Sequence, residues 1–110
     1  MRTKIVLLGV CVPFFAWANP AHDQVRAMDE SARQTIFAKM LTKSGEPCPS
    51  ANRTFYQGSS KSGDAFWNIA CSNGKSYMVT IANNATGSTN ILSCAVLRAV
   101  NGGTCFTKFK

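Results

Sequence analysis

The stretch FWNIACSNGKSYMVTI, Phe66 to Ile81, constrains this chain more than any other. Two apolar runs flank Asn73-Gly74, a strong short-range signal for a β-hairpin. The register decides what the hairpin can bury, because a one-residue slip moves every side chain to the other face. A two-residue loop would oppose Ile69 to Met78 and Asn68 to Val79, mixing strong apolar and polar groups on both faces. A three-residue loop, Ser72-Asn73-Gly74, opposes Ile69 to Tyr77 and Trp67 to Val79. Trp67, Ile69, Cys71, Tyr77 and Val79 then share one face, and Phe66, Asn68, Ala70, Met78 and Thr80 the other. This register also puts Gly74 at a left-handed bulge position that glycine takes without steric penalty. The three-residue loop is therefore expected.

The face bearing Trp67 needs a partner, and the sequence upstream supplies one. Asn19 can cap a helix and Pro20 fits its first position. Val25, Met28, Ala32, Ile36 and Met40 recur every three or four residues, widened by Phe37 and Leu41. Arg26/Glu30 and Asp29/Arg33 have the spacing of surface pairs. Ser44-Gly45 and Pro47 end the helix. Period-two strands follow at TFYQG (54–58), AFWNIAC (65–71), SYMVTIA (76–82) and TNILSC (89–94). AVLRAVNGG reads as a short helix and TCFTKF as a last extended piece. The expected fold is α+β: an N-terminal amphipathic helix packed on a four-stranded antiparallel meander, with a short C-terminal helical segment.

Residues 1–18 have the pattern of an export leader. Arg2 and Lys4 precede an apolar run from Ile5 to Phe15, and Ala16-Trp17-Ala18 is a small-x-small cleavage site. The run is shorter than the roughly 20 residues that span a bilayer. Cleavage after Ala18 would remove Cys11 and leave residues 19–110 as one small domain with no transmembrane span. Cys48, Cys71, Cys94 and Cys105 remain, and an even count in a small exported domain reads as two disulfides. The order of elements brings Cys48, Cys71 and Cys94 toward one end, where Cys105 could return. Three connectivities are open, and Cys48–Cys71 with Cys94–Cys105 is preferred. Periplasm or extracellular space is the expected location.

Metal and cofactor readings find no support. There is no Cys-x-x-Cys, and the single histidine, His22, is far from the cysteines in sequence. Catalysis fares no better. Asp23, Asp29, Glu30, Glu46 and Asp64 are not brought together by sequence, and His22 in a first helical turn is expected to be exposed. Four cysteines in disulfides leave no thiol nucleophile, and no serine lies in a Gly-x-Ser-x-Gly elbow. A non-enzymatic protein is expected.

CSNGKSYMVTI is similar to the opening hairpin of periplasmic C-type lysozyme inhibitors, in its cysteine, Gly-Lys turn and alternating strand. The likeness covers only this hairpin, and the Ser-Gly-x-x-Tyr loop of those inhibitors is missing. No function or residue is carried over from it.

Without Arg2 and Lys4, ten basic residues face five acidic ones, a net charge of +5. The basic residues are scattered, and no basic stripe with interleaved aromatics is visible in sequence, so nucleic acid is not an expected partner. The expected role is binding or accessory, toward an unidentified protein partner in the envelope or outside the cell. Its candidate surface is the face away from the helix, with Phe66, Asn68, Met78 and Thr80, joined by Tyr56 from the first strand. The alternative occupant of that face is the C-terminal segment with Phe106 and Phe109. The second functional reading is a basic envelope factor held to anionic lipid or polymer by its total charge. Should the Phe66–Met78 face not be the site, the edge strand and the basic surface around Arg98, Lys108 and Lys110 come next. Inhibition of a secreted hydrolase ranks behind both.

Overall fold

The computed structural model describes residues 19–101 and 103–109. The expected leader and Cys11 lie outside the described residues. The elements are α1 (Pro20–Ala27), α2 (Glu30–Lys43), β1 (Ala51–Ser59), β2 (Ala65–Cys71), β3 (Ser76–Ile81), β4 (Thr89–Ser93) and α3 (Cys94–Asn101). The strands form an antiparallel sheet in the order β1-β2-β3-β4. Two disulfides, Cys48–Cys71 and Cys94–Cys105, join Cα atoms 5.3 and 5.9 Å apart. None of the described helices is long and apolar enough to cross a membrane.

The hairpin has the expected register. Ile69 opposes Tyr77 and Trp67 opposes Val79. The Cys71 amide donates to Lys75 O at 2.8 Å, the Gly74 amide to Cys71 O at 3.1 Å, and Gly74 sits at φ 87°. Trp67, Ile69, Cys71, Tyr77, Val79 and Ile81 are all buried against the helical layer.

The single N-terminal helix expected from sequence is two helices. Met28 and Asp29 are extended, and the Asp29 carboxylate caps α2 by accepting from the Ala32 amide at 2.8 Å. Asp29 thus stabilises a second helix start more than a continuous helix, as its N-cap preference predicts. Arg33 reaches back, its Nη1 donating to Met28 O at 2.7 Å and Arg26 O at 3.2 Å. These bonds occupy carbonyls that the end of α1 leaves without helical partners. The break also changes the phase of the apolar stripe. Phe37, Ala38 and Leu41 face the sheet from α2, with Val25 from α1, whereas Ile36 is 42% exposed. The pairs expected across a continuous helix give way to one between Arg33 and Glu30, at 3.5 Å.

The last extended piece is not a strand. Residues 103–109 turn across the other face of the sheet, with Phe106 at φ 61°. A bulky side chain in that region needs external support, and the Phe106 amide has it in a 2.7 Å bond to Asn68 Oδ1.

Candidate binding surface

The residues expected to form a patch are placed as follows. Phe66 opposes Thr80 and Asn68 opposes Met78, so these four share the face away from α1 and α2. Tyr56 does not join them. It opposes Trp67, and its ring packs 5.3 Å from the Trp67 ring and 4.6 Å from the His22 ring. The register shift between Tyr56 and Gly58 makes Gln57 a bulge residue, and Phe55, opposite Asn68, is the β1 side chain on the Phe66 face.

Asn68 is fully buried. Its amide donates to Gln57 Oε1 at 3.3 Å, while Gln57 Nε2 donates to Thr104 O at 2.9 Å and Thr107 O at 3.0 Å. The Phe109 amide closes the set by donating to Gln57 O at 3.1 Å. Gln57 and Asn68 thus form a polar hub that clamps residues 104–109 over the sheet. The Phe109 ring lies edge-on to Phe66 at 5.3 Å. It occupies space that a side chain at Gly58 would need, since a Cβ there would lie 2.6 Å from the ring. A cavity of about 460 Å³ remains, lined by Phe66, Met78, Leu97, Phe109 and neighbours. A larger groove of about 740 Å³ follows α2 past Ser31, Thr35, Lys39 and Lys43.

The most distinctive chemistry lies along β1, an edge strand. Arg26 Cζ and Lys108 Nζ stand 5.1 and 4.8 Å from the centre of the Tyr56 ring. Lys108 also approaches Phe55, at 5.7 Å. Arg53 Cζ lies 5.3 Å from Phe55 and 4.6 Å from Phe106. Ring faces attract cations through their quadrupole, by about 0.5–1 kcal/mol at exposed sites, so the aromatics draw together three charges that are far apart in sequence. Among the described residues the only ion pair is Arg33–Glu30, so none of the three has a carboxylate partner there. The edge itself is closed to strand addition. Glu30 Oε2 accepts from the Thr54 amide at 2.8 Å, Gln34 Nε2 donates to Asn52 O at 3.1 Å, and Gln57 O is taken by Phe109.

No protein-family model, curated protein or solved structure matches the chain. The surface has to be read from its own chemistry.

His22 is buried, and its Nδ1 accepts from Trp67 Nε1 at 3.0 Å. This corrects the expectation of an exposed histidine. Burial holds its pKa below the ordinary value; Asp23 pulls it up and Arg26 pushes it further down. At Glu30, burial raises the carboxyl pKa, but bonds from Thr54 and Gln34 and the charge of Arg33 outweigh it, and the net shift is downward. Among the described residues no cluster of three histidine, cysteine or acidic side chains is placed to hold a metal ion.

The sequence carries one charge asymmetry that a search for basic runs misses. All five acidic residues precede Ala65. Residues 19–64 hold six basic and five acidic side chains, net +1, while 65–110 hold four basic and no acidic ones, net +4.

Proposed function

We propose that the protein is a small exported, non-enzymatic binding protein that engages an anionic partner through the cations of the β1 edge. The observation that carries this reading is the set Arg26, Arg53 and Lys108. All three are held over aromatic rings and none has a carboxylate partner among the described residues. Fixed cations lose little side-chain freedom when an anion arrives, which favours binding. The alternative, a protein partner on the Phe66–Met78 face, is less well supported because Asn68 is buried and Phe109 packs on Phe66. Export is supported by the leader pattern and by two disulfides in a domain of this size. Intact mass of the exported protein tests it, with Asn19 expected as the first residue.

The binding test is elution from an immobilised polyanion along a salt gradient. The R26Q/R53Q/K108Q variant should elute at clearly lower salt than wild type. A charge-matched K39Q/K43Q/K75Q variant should elute close to wild type. Equal shifts in the two variants would mean that total charge, not this edge, governs retention.

A further inference from the structure

The C-terminal excursion, α3 and the segment that follows it, has features that charge attraction alone does not use. Among the described residues the exposed large apolar side chains are Ile36, Val96, Val100 and Phe109. Three of these four lie between residues 94 and 109. Val100 is 68% exposed, Phe109 49% and Val96 46%. Val96 and Val100 flank the buried Leu97 on α3, and Leu97 and Phe109 line the same cavity. The same stretch holds Arg98 and Lys108, with Lys110 following it, and no acidic residue. Three ties keep it in shape: the Cys94–Cys105 bond, the Gln57–Asn68 hub and the seating of Phe109 beside Gly58.

We propose that this excursion docks on an anionic phospholipid bilayer. Phe109, Val96 and Val100 enter the headgroup boundary, and Lys108 and Arg53 meet lipid phosphates. The proposal rests on the anionic-partner reading above and names that partner. A hydrated polyanion would satisfy the cations but gives exposed valine and phenylalanine nothing to enter. An anionic bilayer rewards both, since interfacial binding scales with buried apolar area plus attraction to anionic lipid. The lack of acidic side chains in residues 94–109 suits an anionic surface, because that stretch places no side-chain carboxylate against lipid phosphate. The ties leave little to order on contact, so the apolar side chains are presented before the membrane is met.

The test uses the disulfide-bonded protein with phosphatidylcholine vesicles and with vesicles containing phosphatidylglycerol. Soluble polyphosphate serves as the competing polyanion. Wild type should co-sediment with the anionic vesicles only, and added salt should weaken binding. K108Q and R53Q should each lose roughly fivefold in affinity, the weight of one cation near such a surface. Val100→Ser alters an exposed position and should weaken vesicle binding while leaving polyphosphate binding unchanged. A Phe109→Trp probe should shift to the blue on binding and be quenched by brominated acyl chains, against the steady background of buried Trp67. Polyphosphate binding without vesicle binding, or vesicle binding with an unquenched Trp probe, would overturn bilayer docking and leave the anionic-partner reading standing. Equal binding to both kinds of vesicle would overturn the role of the cations. Binding to neither vesicles nor polyphosphate would remove both proposals together.

Discussion

The indole N–H of Trp67 donates to Nδ1 of His22 at 3.0 Å, joining the middle of the sheet to the first turn of α1. The bond requires His22 to be neutral at Nδ1, because a doubly protonated imidazole has no acceptor.

Stability should therefore fall on acidification. The folded pKa of His22 lies below the ordinary 6.5, chiefly through burial, so below that value the unfolded chain takes up the proton first. Neutral His22 contributes its full share above 6.5, and the share is lost as pH falls from there through the folded pKa. Chemical unfolding midpoints measured from pH 7.5 to 5 should decline for wild type, and His22→Phe should flatten that part of the curve. An unchanged slope in the variant would remove His22 as the cause. A separate decline is expected at lower pH, where Glu30, with its lowered pKa, gives up its bonds to Thr54.

Trp67→Ala should destabilise the fold by about 3–5 kcal/mol, the range for a large aromatic truncated in a packed core. Trp67→Phe keeps most of the volume but strands the buried His22 acceptor, and should cost about 1–3 kcal/mol. Urea denaturation of both variants separates packing from hydrogen bonding.

The two disulfides should differ in what their loss does. Cys48–Cys71 ties the chain beyond α2 to the end of β2, and replacing both cysteines by serine should lower global stability by about 3 kcal/mol. Cys94–Cys105 closes a separation of 11 residues around α3. Its removal should chiefly loosen the C-terminal excursion, seen as faster amide exchange at Phe106 and Phe109 with the β2–β3 amides still protected.

Gly58→Ala should displace Phe109. The new Cβ would lie 2.6 Å from its ring, and Gly58 sits at φ 148°, where alanine is strained. The expected outcome is a lower melting temperature and a lost upfield ring-current shift at Phe66. A variant as stable as wild type would show that Phe109 is not seated in this notch.

Local rules carry the parts of this fold that local rules govern. Alternation and the Ser72-Asn73-Gly74 turn make the β2–β3 register readable, and with it the burial of Trp67. The helix break at Met28 and Asp29 is hidden because helical periodicity continues on either side. Only the cap on Ala32 and the reach of Arg33 reveal it. The face that Tyr56 occupies is not legible in sequence, because the pairing of β1 with β2 depends on where its bulges fall, at Asn52 and Gln57, and short polar stretches do not announce them. Arg26, Arg53 and Lys108 come from three distant segments, so no window of sequence contains the surface they form. Of the three, only Lys108 lies in the stretch beyond Asp64 that carries no acidic side chain.

The disulfide connectivity bears on how the molecule is made. Among the cysteines of residues 19–110 the first pairs with the second and the third with the fourth. Each bond joins nearest neighbours along the chain, across 23 and 11 residues, and neither loop encloses the other. An oxidant that meets the thiols in order of emergence therefore forms each native bond at the first opportunity. Oxidation in that order would need no reshuffling, unlike in proteins with interleaved bridges, where slow exchange reactions can limit folding.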